Sequence, residues 1–266
     1  MSPVAVDPAA FLARQLPAQQ LPLARYRLGE ERTVWLRRAR PGAHPLQRRL
    51  WALAARLSRV PALRPLPMAG AAACAAAQAA RLREFADHGL PVAQVLAQQG
   101  EGLLLADVGA VSLAQELAQA PDAAALIALW QQGLALIDNA HGRGLSLGSA
   151  LPQHMVRSPE GALTLVYLPP DPGALLTPAL CQVRDALSYL YASAMLLHAG
   201  GARQKARPLW QAWLDGPARA PGFRQALQAQ LTRLSWLRYL PPDARWGHGA
   251  WQLRAAYEQA VLLQYK

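Results

Sequence analysis

Residues 140–172 read AHGRGLSLGSALPQHMVRSPEGALTLVYLPPDP, and this stretch passes from a helix pattern through loop and strand patterns. Glycines 142, 144 and 148 end the helical pattern. The short apolar runs 155–156 and 163–167 flank the turn residues Pro159-Glu160-Gly161, which is typical of a small antiparallel pair. A proline-rich loop follows. A hairpin set between long helical segments indicates a mixed α+β fold.

Upstream of this stretch, the sequence predicts strands with a few helices. The first hairpin is centred on Gly29-Glu30-Glu31, and Gly89 followed by Pro91 ends a helix. Residues 60–68 are punctuated by prolines and are predicted to be extended. The predicted strands are 24–28, 33–38, 92–96 and 102–106, and the predicted helices are 45–57 and 71–88.

Downstream, the chain is predicted to be mainly helical, over 112–119, 121–141, 178–198, 208–213 and 222–240. We therefore predict a bilobal α+β protein: an extension or loosely packed first helix over 1–20, a small β-rich lobe over 21–106, and a larger helical lobe over 107–266. A cleft between two lobes is where ligands usually bind.

Composition excludes several classes of protein. Hydrophobic residues make up 53% and charged residues 16% of the chain, which excludes wholesale disorder. No apolar run is long enough for a membrane-spanning helix, and the N-terminus lacks a signal-peptide pattern. Cys74 and Cys181 are the only cysteines, so neither a disulfide framework nor a thiolate metal cluster is expected. A reduced, cytoplasmic setting is the simplest expectation.

The charge balance is strongly basic. Lys and Arg number 27 against 16 acidic residues, a formal net charge of +11. Such an excess favours phosphate-bearing partners, namely nucleic acid, anionic lipid or nucleotides. A compositional bias that replaces Lys with Arg explains it equally well, and composition alone leaves both explanations open.

The order of predicted elements resembles the protein-kinase-like fold, and in particular the bacterial lipopolysaccharide-core kinases, which phosphorylate Kdo or heptose sugars. The resemblance covers roughly residues 26–197. It rests on spacing and on short strings: His141-Gly142-Arg143-Gly144 at the end of a long helix, Gly89-Leu90-Pro91-Val92, Leu104-Leu105-Ala106-Asp107-Val108-Gly109, and Arg184-Asp185.

The resemblance implies a catalytic centre whose chemical groups are missing. Ser149 stands where the family has the aspartate that accepts the hydroxyl proton, and His154 stands at the metal-binding asparagine. Tyr167 stands at the magnesium-binding aspartate. A serine hydroxyl is no general base without an activator, and Mg²⁺ prefers carboxylates and water to a tyrosine.

The nucleotide-binding positions differ in the same way. Arg37 replaces the lysine that contacts ATP phosphates, and Gln78 replaces its partner glutamate. With Asp107, these residues would line a vestigial nucleotide cleft. The planar guanidinium of arginine is bulkier than the ammonium of lysine and directs its hydrogen bonds differently. We therefore expect a pseudokinase, with no intact catalytic residue, no metal site, and neither ATP nor Mg²⁺ as a cofactor.

Other notable residues are predicted to be structural. His141 is expected to be a hydrogen-bonded histidine at a helix end. Asp185 is expected to accept hydrogen bonds from loop amides over 147–149, as an aspartate at this place does in the kinase-like fold. The arginines of 37–40 and 48–49 are interpreted as a solvated face, and the tryptophans as core or packing residues. A hydrolase role for Ser149 is disfavoured because the nucleophile-elbow pattern is incomplete.

The favoured function is a non-catalytic scaffold or regulator in a Gram-negative cytoplasm, placed at the inner-membrane face through the family resemblance. Its partner is an unidentified protein, and an anionic membrane surface is a second candidate. The first alternative is an active kinase of a lipopolysaccharide-core sugar or another small molecule, with a rearranged site. The second is nucleic-acid binding, which rests on basicity alone and is not expected. Mg·ATP binding separates the first two, and salt-dependent DNA binding would favour the third.

Overall fold

An antiparallel sheet begins with a hairpin in the computed structural model, which describes residues 7–29, 32–39, 60–66 and 70–261. β1 (Leu23–Leu28) and β2 (Arg32–Arg38) pair along their full length, and the chain leaves β1 through Gly29, whose φ of 72° glycine tolerates without strain. β2 then pairs with β4 (Gly102–Ala106), which pairs with β3 (Val95–Gln99). The strand order is β1-β2-β4-β3.

One face of this sheet is covered by α1 (Pro8–Gln15), which Asp7 caps at its N-terminus. Alternate residues of β2 point to opposite faces, so Val34 and Leu36 lie together against Phe11 and Leu12. Because Leu12 is fully buried, α1 packs closely on the sheet. Of the two alternatives predicted for residues 1–20, an extension or a first helix, the structure has the helix, and it is packed more closely than expected.

The opposite face of the sheet packs against α2 (Ala71–Asp87) and the main core. Ala75, Ala79, Leu82 and Phe85 recur at helical spacing and are buried. The helix ends as predicted: Gly89 follows with φ of 69°, and the amide of Leu90 donates to the carbonyl of Phe85 in a Schellman arrangement.

The rest of the described chain is mainly helical. Its helices are α3 (Leu113–Ala118), α4 (Ala123–Gly142), α5 (Pro178–Ala199), α6 (Arg203–Leu214), α7 (Phe223–Arg233) and α8 (His248–Val261). Aromatic side chains fill the core between α4, α5 and α6, where Trp130 stacks on Tyr189 and Trp210 stacks on Trp213. Gly133 permits this packing, because a Cβ there would lie 2.1 Å from the hydroxyl of Tyr189. These helices, together with the small antiparallel sheet, confirm the α+β class predicted from sequence.

A second antiparallel pair lies between α4 and α5, formed by β5 (Met155–Arg157) and β6 (Leu163–Leu165). It is tied to the chain around α2 and α3 by single bridges, Val92 to Leu165 and Ser112 to Val156. Gly109 makes the close approach possible, since a Cβ there would lie 2.1 Å from the carbonyl oxygen of Arg157.

Several predicted boundaries are wrong. The strand predicted over 92–96 begins at Val95, because Val92 pairs with β6 instead. Residues Pro61–Leu63 form a 3₁₀ turn within the segment predicted to be extended. The helix predicted over 222–240 ends at Arg233 and continues as the 3₁₀ segment Ser235–Tyr239. The predicted helix 45–57 lies outside the described residues.

Two helices near the C-terminus depart further from prediction. α6 begins at Arg203 and carries Pro208 in its interior, where the prediction placed a helix start. Burial of Ala206 and Trp210 on either side of the proline holds the helix together despite the lost amide donor. α8 was not predicted at all. No helix among the described residues is long and apolar enough to cross a membrane.

Candidate functional site

An arginine and a tyrosine from distant parts of the chain stack on one another. Arg37 lies on β2, on the face opposite to Val34 and Leu36, and its guanidinium carbon is 4.1 Å from the centre of the Tyr167 ring. Tyr167 lies just after β6. Burial lowers the pKa of Arg37, and the neighbouring Tyr167 partly opposes this shift. A cation over an aromatic face at this distance is attractive, and more so when partly desolvated.

His154 completes the cluster. Its ring lies 4.6 Å from that of Tyr167 at 61°, an edge-to-face contact. Burial, followed by the positive charge of Arg37, lowers the pKa of His154 to about 4. His154 is therefore neutral at neutral pH, and its Nδ1 is buried without a hydrogen-bond partner among the described residues. We call Arg37, His154 and Tyr167 the stacked cluster.

The chemistry of the stacked cluster does not suit a divalent cation. It contains no carboxylate, and one of its members is itself a cation that repels metal ions. Among the residues that the structure describes, no group of three or more His, Cys, Asp and Glu side chains is arranged to bind a metal. The residues present therefore do not fit the Mg²⁺ that an active kinase would need.

Ser149 lies apart from the stacked cluster. It lines an apolar groove formed mainly by α5, α8 and the 3₁₀ segment Ser235–Tyr239, and none of the three cluster residues contributes to the lining of that groove. Ser149 and His154 are close in sequence, but only Ser149 lines the groove. The expectation that Ser149 is no nucleophile stays a prediction.

Gln78 is buried on α2, and its Nε2 lacks a hydrogen-bond partner among the described residues. The ionic contact of this helix is made one turn later by Arg81, which is only 7% exposed. Arg81 pairs with Asp171 at 2.9 Å and donates to the carbonyl of Ser146. It thereby ties α2 to the loops on both sides of β5 and β6. Sequence analysis missed Arg81, although its position on the buried face of an alanine-rich helix was a readable signal.

Asp107 lies just after β4 and is held by three hydrogen bonds. It accepts hydrogen bonds from Arg25 at 2.5 Å, from the indole of Trp35 at 2.8 Å and from the amide of Gly109. Burial on its own raises the pKa of Asp107, but the hydrogen bonds from Arg25 and Trp35 outweigh it and the net shift is downward. Asp107 thus ties β1, β2 and the turn at Gly109 together, and its place in a nucleotide cleft stays a prediction.

Asp185 has the geometry expected from sequence. Its carboxylate is completely buried, and Oδ2 accepts hydrogen bonds from the amide of Leu147 at 2.7 Å and from Nε2 of His141 at 3.0 Å. Arg219 donates to the other ring nitrogen of His141, at 2.9 Å. Nδ1 is therefore the acceptor and Nε2 the donor, which fixes the orientation of the His141 ring.

Arg184 holds the same loop from the other side. Its Nε donates to the carbonyl of Gly148 at 2.6 Å, and its Nη1 donates to the carbonyls of Ala62 and Arg64. Burial lowers the pKa of Arg184, and Asp185 is the main group that opposes this shift. Arg184 and Asp185 therefore fasten residues 147–148 to α5 and connect them to the 3₁₀ turn at Pro61–Leu63.

The structure bears on two predictions, one about arginines and one about tryptophans. Arg37 stacks on Tyr167 and is not part of a solvated face, whereas Arg38 pairs with Glu101 and is 36% exposed; Arg40, Arg48 and Arg49 lie outside the described residues. Trp236 and Trp246 are 49% and 70% exposed, so they are not core residues. Neither their spacing nor their neighbours distinguishes them in sequence from the buried tryptophans.

Comparison of the sequence with protein-family models and with curated proteins gives no significant match.

Proposed function

We propose that this chain is a catalytically degenerate protein-kinase-like protein that acts as a non-catalytic scaffold or regulator. The support from the fold is the order of its elements. A hairpin, a helix packed on the sheet and a second hairpin precede a mainly helical region, and a loop with a short β pair lies between two long helices. The bilobal arrangement is part of this proposal.

The observation that carries the proposal is the stacked cluster. The family resemblance assigns Arg37 to the phosphate-binding lysine, Tyr167 to a metal-binding aspartate and His154 to a metal-binding asparagine. Arg37 comes from β2, far in sequence from the other two, and both Arg37 and His154 contact the ring of Tyr167. Their rings and guanidinium occupy the volume between them, and none can coordinate Mg²⁺ as a carboxylate does.

Support also comes from the loop that would carry the catalytic residues. Asp185 and Arg184 hold it rigidly through the amide of Leu147 and the carbonyl of Gly148. In the proposed function, this loop is retained as scaffold although Ser149 cannot act as a general base. The expected partner is a protein, and we propose a cytoplasmic setting with peripheral attachment to the inner-membrane face.

The proposal is tested by nucleotide binding and turnover. We expect that Mg·ATP neither shifts the melting temperature nor gives calorimetric heat, and that labelled ATP with core lipopolysaccharide yields only background transfer. Turnover above background that EDTA abolishes would favour an active kinase with a rearranged site and contradict the proposal.

A variant connects this test to the stacked cluster. Tyr167→Ala removes the ring that covers Arg37, so metal-free ATP should bind more tightly to the variant than to the wild-type protein. Tyr239→Ala is the matched control, because Tyr239 is an exposed tyrosine that does not contact Arg37. Equal ATP binding by wild type, Tyr167→Ala and Tyr239→Ala would mean that the cluster does not obstruct a nucleotide site.

A further inference from the structure

A groove of about 510 Å³ opens on the helical part of the molecule, away from the stacked cluster's own residues. This volume is within the usual range for small-molecule sites. Its walls are predominantly apolar, and they include Leu187, Leu231, Leu234, Leu237 and Leu253.

The polar groups of the groove gather around Arg184. Ser188 follows Arg184 by one helical turn and donates to its carbonyl, and Ser149 follows Gly148, whose carbonyl accepts from the Arg184 guanidinium. Both serines line the groove together with Arg184. The groove therefore has a cationic part with serine hydroxyls, within walls that are mainly apolar and that also include Tyr191 and Tyr257.

The positive charge of Arg184 is not neutralised by a direct ion pair. The acceptors of its hydrogen bonds are neutral carbonyl oxygens, and no carboxylate of the described residues lies within ion-pair distance of it. The adjacent Asp185 directs its carboxylate to His141 and Leu147 instead. A part-buried cation of this kind binds an anion favourably, because the low local dielectric strengthens the attraction.

The mouth of the groove is also apolar. Trp236 and Leu63 both line it, and they are 49% and 37% exposed. Exposed apolar surface that continues into a groove marks an interaction site more often than isolated exposed residues do. An occupant that is apolar over most of its length and anionic at one end matches both parts of this surface.

We propose that this groove binds the acyl chain of a single-chain anionic amphiphile, with its carboxylate or phosphate head at Arg184. The leucine walls enclose the chain, the Arg184 guanidinium binds the head group, and the Ser149 hydroxyl beside it donates to the same group. The site is independent of the kinase-like interpretation. Its ligand could be supplied as a free fatty acid or as a lysophospholipid, and both present the same chemistry to the groove.

The test is calorimetric titration of the full chain with laurate, dodecanol and lauroyl-lysophosphatidylglycerol below their micellar concentrations. We expect laurate to bind at least roughly tenfold more tightly than dodecanol, since only laurate can form a charge-assisted hydrogen bond. Affinity should rise by up to about fourfold per methylene from decanoate to laurate. Whichever of laurate and the lysophospholipid binds more tightly and displaces the other identifies the source.

Variants assign the binding to the groove. Arg184→Gln should reduce laurate affinity to that of dodecanol, while Leu253→Trp should weaken all three ligands by filling the groove and leaves Arg184 in place. Trp236→Ala should weaken binding several-fold. Trp246→Ala is its matched control, since Trp246 is an exposed tryptophan outside the groove lining. Melting curves confirm that each variant is folded.

Several results would overturn the proposal. Equal affinity for laurate and dodecanol would show that Arg184 does not bind the head group. Absence of laurate binding, or binding that Leu253→Trp leaves unchanged, would show that the groove is not the binding site. A dimer in sedimentation that Leu253→Trp dissociates would assign the groove to a second copy of the chain.

Discussion

At the scale of single residues, Asp185 is the clearest case of a side chain kept for structure. Asp185→Ala removes the acceptor of the Leu147 amide and of His141, both of which are buried. We expect the free energy of unfolding to fall by about 1–3 kcal/mol, because the stranded donors stay buried. Urea denaturation measures this loss.

Asp171→Ala would not be a neutral control for this measurement, because Asp171 pairs with the buried Arg81. Asp87 is better, since it is exposed at the C-terminal end of α2. Asp87→Ala should leave stability unchanged or slightly raised, because an acidic residue opposes the helix dipole there. Equal effects of Asp185→Ala and Asp87→Ala would contradict a structural role for Asp185.

His154 makes stability depend on pH. Its folded-state pKa of about 4 lies below the ordinary 6.5, so the unfolded chain takes up the proton first as pH falls. The contribution of His154 is fully present above about pH 6.5 and is lost as pH falls toward 4, by roughly 2–3 kcal/mol. Burial is the main cause of this low pKa, the positive charge of Arg37 adds to it, and the ring of Tyr167 packs against that of His154.

The measurement is the free energy of unfolding between pH 7 and pH 4 for the wild type and for His154→Gln. The variant has no titrating ring at this position, so its stability should fall less steeply over that range. The carboxylates titrate equally in both proteins, so their contributions cancel in the difference between the two unfolding free energies. Parallel curves would show that His154 is not desolvated as the structure indicates.

At the scale of elements, α1 stabilises the sheet through the buried residues on one of its faces. Leu12 is completely buried against β2 and β4, whereas Arg14 on the same helix is exposed. Leu12→Ala should reduce stability by about 2–4 kcal/mol, because it leaves a cavity under the sheet. Arg14→Ala should cost less than about 0.5 kcal/mol. Thermal and urea unfolding of both variants measure these losses of stability. Similar losses for Leu12→Ala and Arg14→Ala would mean that α1 is only loosely attached to the sheet.

At the scale of the whole molecule, the net charge of +11 predicts peripheral, electrostatic attachment to membranes. Co-sedimentation with liposomes should require anionic lipid and should weaken as salt rises from roughly 0.05 to 0.5 M, since the Debye length shortens. Neutral liposomes are the control. Attachment that is indifferent to both lipid charge and salt would contradict this prediction.

Much of the local structure followed from short-range patterns in the sequence. The first hairpin, β4 and the end of α2 at Gly89 agree with prediction because alternation, helical spacing and a glycine cap act within a few residues. The burial of Asp185 was also foreseeable, because its neighbours on α5 place it on an apolar face.

Tertiary structure alone decided what the site contains. Arg37, His154 and Tyr167 come from three separate segments. No local pattern in the sequence shows that an arginine on β2 will stack on a tyrosine that follows β6. The same holds for Arg184, whose carbonyl acceptors Ala62 and Arg64 lie more than a hundred residues away. Local sequence determines which conformations a segment prefers, whereas the energy of these contacts depends on burial and on partners that only packing brings together.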